Sequence, residues 1–142
     1  MRRGHTLLEL LVVLGLLGLA VTLATPVVGD FLDWVAVDGA AHDVAVALSV
    51  TRQTAVNRGT LARLRISSDS LVVELRDTGS WVRWRRLAGP SSRGVSLTAS
   101  NSEVVFSPLG MGWGASNTTV TLLRGARSEQ ITTSRVGRVK RW

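Results

Sequence analysis

The chain contains no cysteine, only two histidines, and no charged residue between Leu10 and Gly29. The first absence excludes a disulfide framework, a thiolate metal site and a thiol nucleophile. The second leaves little for acid–base chemistry: His5 sits beside an N-terminal glycine, and His42 borders an apolar helical stripe. No cluster of histidine and carboxylates has metal-ligand spacing. Gly110-x-Gly112-x-Gly114 lacks the lysine and the strand–helix context of a phosphate loop and reads as a turn. The expectation is a non-enzymatic chain with no cofactor, no metal and no catalytic residue. The third absence is the most informative, because twenty uncharged residues wound as a helix rise about 30 Å, roughly one hydrocarbon core.

What is present begins with Arg2-Arg3-Gly4-His5-Thr6-Leu7-Leu8-Glu9, directly before that apolar run. Three readings compete. In a secretory signal peptide, Arg2 and Arg3 form the basic region and the small residues near Ala24 the cleavage site, but Glu9 then stands where the apolar core should already have begun. A plain membrane anchor explains the orientation through the positive-inside rule. It leaves a carboxylate at the membrane edge, which costs free energy unless it finds a partner. The third reading accounts for Glu9.

Gly4-His5-Thr6-Leu7-Leu8-Glu9 and the apolar residues after it resemble the class III signal of type IV prepilins and type II secretion pseudopilins. The resemblance implies cleavage between Gly4 and His5 by a prepilin peptidase, methylation of the new N-terminus at His5, and retention of the helix. The family usually has Phe or Met where this chain has His5. Glu9 is then expected to set subunit registry by meeting the N-terminal ammonium of a neighbour, since two charges that are costly singly in a low-dielectric bundle become tolerable as a pair. Implied partners are major and minor pilins or pseudopilins, the peptidase, an inner-membrane assembly platform and membrane lipid. The chain would first lie in the bacterial inner membrane as a single-pass protein with a periplasmic C-terminal domain, and then in a pilus or pseudopilus.

The expected domains are a leader over 1–4, a transmembrane and assembly helix over 5–29, and a globular domain over 30–142. Within the last, an amphipathic helix spans 30–58 and a β-domain 60–142. Pro26 predicts a bend or loosening of the helix. Trp34, Val37, Ala41, Val44, Leu48, Thr51 and Ala55 recur at spacings of three and four, one face of a helix. Aspartates lie early and arginines late, as the macrodipole favours, and Gly59 suits a left-handed cap.

Beyond Gly59 the period becomes two. Ala62–Ile66, Leu71–Arg76 and Trp81–Leu87 read as an antiparallel meander, with Val82 and Trp84 on one side of the third strand and Arg83 and Arg85 on the other. The stretch 88–94 reads as a loop, followed by strands at Val95–Ala99 and Glu103–Phe106. A hairpin turns at Gly125-Ala126 between Thr118–Arg124 and Ser128–Ser134, and a short strand or tail ends the chain over 136–142. The fold class is α+β, one long N-terminal helix packed on an antiparallel sheet or small two-sheet β-domain. Three segments resemble the GspH/FimT branch of minor pseudopilins and minor pilins: Thr51-Arg52 to Arg58-Gly59, Phe106-Ser107-Pro108-Leu109-Gly110, and Gly137-Arg138-Val139.

The net charge is +7, unevenly spread. Nearly all of the excess lies beyond residue 60, which suggests an anionic partner or an arginine-rich solvated face. Arg83, Arg85, Arg86 and Arg93 lie around Trp81 and Trp84, while Arg135, Arg138, Lys140 and Arg141 crowd the end before Trp142. Arginines interleaved with tryptophans can hold phosphates and stack on bases. Some FimT-type members carry a basic C-terminal DNA-binding segment, so the resemblance makes DNA a candidate partner through Arg135, Arg138, Lys140 and Arg141.

Overall fold

The computed structural model describes residues 6–114 and 116–142, with the backbone alone for 23–26. Gly4 and His5, the expected processing site, lie outside the described residues. Among the described residues one helix, α1 (Leu7–Arg58), is followed by eight strands. The chain divides into two compact units, one ending at Leu32 and the other running from Asp33 to Trp142.

The first unit is helical from Leu7. Thr6 opens the helix: its Oγ1 accepts the Glu9 backbone N–H at 3.3 Å, and its carbonyl accepts the Leu10 N–H. Thr6 is therefore an N-cap and Glu9 the third helical residue, the spacing of a capping box. The backbone stays helical through Pro26. The most apolar eighteen-residue window has a mean hydropathy of 2.5 and none of it is buried, so the segment is long and apolar enough to cross a membrane.

In the second unit, α1 buries Val37, Ala40, Ala41, Val44, Ala47, Leu48, Thr51 and Ala55. The stripe follows the expected spacing but starts one turn late: Trp34, at the start of this unit, stays 51 % exposed. Half of the stripe is alanine. Thr51 satisfies its buried hydroxyl by donating to the Ala47 carbonyl at 2.7 Å. The helix ends in a Schellman motif: Gly59 has φ of 62°, its N–H reaches the Val56 carbonyl, and the Thr60 N–H reaches Ala55.

Two four-stranded antiparallel sheets cover the stripe. Sheet A has the order β3-β2-β1-β5, from β1 (Ala62–Ile66), β2 (Ser70–Asp77), β3 (Ser80–Ala88) and β5 (Glu103–Phe106). Sheet B has the order β4-β6-β7-β8, from β4 (Ser96–Ala99), β6 (Thr118–Arg124), β7 (Arg127–Thr133) and β8 (Val139–Arg141). The inner faces supply Leu64, Leu71, Val73, Val104, Phe106, Val120, Leu122 and Ile131 to a single core with the helix.

Two sequence expectations change. The stretch 88–94 holds a 3-10 turn, Pro90–Arg93, closed by Gly94 in the left-handed region. The strict alternation expected for β3 fails, because its register against β2 shifts between Val73 and Glu74. Arg85 then faces Val73 and Val82 faces Leu75, so these two share the inner side while Arg83 and Arg86 face Glu74 and Val72.

The early aspartates of α1 have tertiary partners. Asp33 accepts from Arg124 of β6 at 2.8 Å, Asp38 from Arg141 of β8 at 2.6 Å, and Asp43 from Arg93 at 3.0 Å. At 100° per residue Asp38 and Asp43 flank the stripe on opposite sides, while Asp33 continues it by one turn. The Arg93 guanidinium lies over Gly39, where a Cβ would come to 3.1 Å of its Nη1.

Candidate functional site

No described group of three or more histidines and carboxylates is placed to hold a metal ion. The chemistry-bearing features are instead the helix start, one junction of short motifs, and two basic surfaces.

The junction forms where the three short segments singled out in the sequence meet. Arg52, in the last two turns of α1, donates its Nε–H to the Gly110 carbonyl at 2.8 Å. Gly110, with φ of 74°, closes a turn in which its N–H bonds to Ser107 and the Ser107 N–H bonds to Met111. Gly137 is buried at φ of 74°, and a Cβ there would collide with the Gly110 carbonyl oxygen and come to 3.2 Å of the Arg52 Nε. Gly112 adds a bond from its N–H to the Arg135 carbonyl at 2.8 Å. The helix end is thereby bonded to a carbonyl 58 residues away, and Gly137 packs against the same oxygen. The arginine serves as a positioning group, because its guanidinium satisfies a backbone acceptor that the tight turn leaves without a strand partner.

The C-terminal basic residues separate by the period of two. Arg141 pairs with Ile131 in register and meets Asp38 of α1 and Glu129 of β7. Hydrogen bonding to Glu129, reinforced by Asp38, raises its pKa above the ordinary guanidinium value, so it stays charged and committed. Lys140 faces the opposite way, paired with Thr132 in register, its Nζ 3.2 Å from the centroid of the Trp142 ring. Lys140 and Arg138 line a cavity of about 350 Å³ with Asn117, Thr132, Thr133 and Ser134, and no described carboxylate joins them. Arg135 is exposed. The four cations grouped in the sequence are thus not one patch. The alternation Val139, Lys140, Arg141 carried the signal for this split.

The helix start completes the set. Glu9 occupies the third helical position behind the Thr6 cap. Residues 1–25 match the family model described as the prokaryotic N-terminal methylation motif. The pilin-like protein PilA1 of Thermus thermophilus is 28 % identical over 160 residues, covering 98 % of this chain and 97 % of that protein. The type IV minor pilin FimU of Pseudomonas aeruginosa superposes with a TM-score of 0.66 at 15 % identity, over 78 % of this chain and 90 % of that one. A second crystal form of FimU gives 0.62 over 74 % of this chain and 91 % of that one. The chain is thus similar to pilin-like proteins in sequence and has the fold of a type IV minor pilin. A long N-terminal helix packed on antiparallel strands is the pilin-like architecture expected from the sequence.

Proposed function

We propose that this chain is a minor pilin or pseudopilin, a structural subunit of a type IV pilus or of a type II secretion pseudopilus. The leader is removed between Gly4 and His5 and the new N-terminus at His5 is methylated. The helix then anchors the subunit in the inner membrane, with residues 30–142 in the periplasm, until an assembly platform draws it into a filament. The observation that carries this reading is the conjunction of a methylation motif with a fully exposed apolar helix leading into a pilin-like β-domain. No lipid-free environment hides such a surface except a bundle of similar helices, so the same residues serve membrane and filament in turn. Glu9 fixes the register within that bundle.

The junction of Arg52, Gly110 and Gly137 supports the GspH/FimT branch as the finer reading, because all three of that branch's short segments meet there. Mass spectrometry of the native N-terminus is the test. A chain beginning at methylated His5 is expected, and one beginning near Thr25 overturns the reading in favour of an exported soluble protein.

The cavity of Arg138 and Lys140, with no described carboxylate in its lining, favours a second reading, a filament-tip subunit that holds DNA for uptake. Phosphates would neutralise these two cations, with Arg135 adjacent in sequence, while Arg141 is already occupied by Asp38 and Glu129. Replacing Arg138 and Lys140 is then expected to weaken DNA retention and flatten its salt dependence. Retention that is unaffected by those changes and by salt rejects this reading.

A further inference from the structure

The outer face of sheet A carries a second basic concavity, remote in sequence from the C-terminal segment. A cavity of about 370 Å³ opens between Arg65 of β1 and Arg83 and Arg86 of β3, floored by Val72 and rimmed by serines 67, 70 and 102. Among the described residues, Glu103 is the one carboxylate in its lining.

The neighbouring acids are already engaged. Arg63 donates through Nε to Glu74 at 2.8 Å and through Nη1 to Glu103 at 3.1 Å, and its guanidinium lies 4.5 Å from the centroid of the Trp81 ring. That network is half-buried, with 17 % of the Arg63 side chain and 11 % of the Glu74 side chain exposed. Arg65 consequently approaches Glu74 and Glu103 no closer than 3.8 and 3.7 Å, and Arg86 stands 3.7 Å from Asp69. These separations exceed hydrogen-bonding distance. Arg83 makes no ion pair or side-chain hydrogen bond among the described residues.

Arg83 therefore borders the cavity with its donors unspent, while Arg65 and Arg86 keep hydrogen-bond donors available beside their long ion pairs with Glu74, Glu103 and Asp69. Guanidinium presents paired N–H groups that fit a tetrahedral oxyanion, and the Ser102 hydroxyl at the rim adds a neutral donor. The register shift that turns Arg85 to the inner side keeps Arg83 and Arg86 together on the outer one. We propose that this cavity is a binding site for a phosphoryl group, held by Arg65, Arg83 and Arg86, with Val72 receiving the apolar part of the molecule that bears it. The site is independent of the filament role and of the Arg138–Lys140 cavity.

The test uses the full-length chain in a neutral detergent and two probes, inorganic pyrophosphate and a short single-stranded oligonucleotide, titrated calorimetrically. Wild-type protein binds at least one of them. Losing charge-assisted hydrogen bonds weakens it by about tenfold or more in R83Q and in R83Q/R86Q, whereas R85Q stays within about twofold. Arg85 is the decisive control, since its replacement removes the same charge two residues from Arg83 on the other side of the strand. Pyrophosphate binding alone identifies a small phosphorylated compound, and oligonucleotide binding with the same dependence identifies a phosphodiester strand. No binding of either probe, or equal weakening by R85Q, overturns the proposal. Unchanged thermal unfolding of R83Q shows that any loss belongs to the site rather than the fold.

Discussion

The two stretches of α1 are both rich in apolar residues, for different physical reasons. From Leu7 to Leu19 the leucines are exposed on every side, with Leu7 at 76 % and Leu14 at 64 %. From Val37 to Ala55 the apolar residues form one stripe, built mainly of alanine and valine, and the stripe is covered. A helix apolar all round requires an apolar medium or similar helices, whereas a stripe requires a partner surface from its own chain. The first stretch is thus written for association and the second for folding, although one secondary-structure element contains both.

The largest expected separation concerns Glu9. Replacing it by Ala abolishes incorporation into filaments and leaves domain unfolding unchanged. The Glu9→Gln variant sharpens this. Gln preserves a capping box but carries no charge. If Glu9→Gln assembles normally in a filament-incorporation assay, the residue acts as a cap; the charge-pairing role requires that it fail.

Identical leucine truncations give the next contrast. Leu48→Ala leaves a cavity in the core and is expected to cost about 2–5 kcal/mol in denaturant unfolding. Leu14→Ala in the same assay falls within about 0.5 kcal/mol of wild type, as exposed substitutions do. A comparable loss at Leu14 would erase the distinction between the two stretches.

Gly137→Ala probes the junction that fastens the C-terminal segment to the end of α1. It combines a left-handed backbone with a collision against Gly110, and about 1–3 kcal/mol of destabilisation is expected by thermal unfolding. The smallest effect is that of the Asp33–Arg124 pair, where Asp33 is the first residue of the folding stretch. A double-mutant cycle is expected to return about 0.2–1 kcal/mol of coupling, since both side chains remain partly solvated.

Much of this was legible locally. The change of period at Gly59, the Gly59 cap and the turn at Gly125-Ala126 are dictated by residues within a few positions of one another, and each stands where the sequence put it. What lay beyond reach depends on distant pairing. β5 joins sheet A beside β1, and nothing local in Glu103-Val104-Val105-Phe106 selects that neighbour over β4 or β6. The aspartates of α1 matched the helix dipole well enough that their arginine partners, 50 to 103 residues away, left no local trace. The β3 register shift likewise follows from its pairing with β2, and it decides which arginines share a face. At the candidate site, the motifs were visible as segments, but their convergence on the Gly110 carbonyl was not.

The Thr6 cap has one more consequence for assembly. In a chain that begins at His5, the new ammonium lies a single residue before the cap. Thr6 caps the end of the helix where the peptide dipoles concentrate positive charge, so an ammonium one residue earlier in sequence would add to that charge. The Glu9 carboxylate, at the third helical position, is a counter-ion for that end of the helix within the same subunit. Joining a filament would then exchange one counter-ion for another of the same kind, supplied by the next subunit. Such an exchange would release little net free energy in either direction, so the proposed pairing would set register rather than strength.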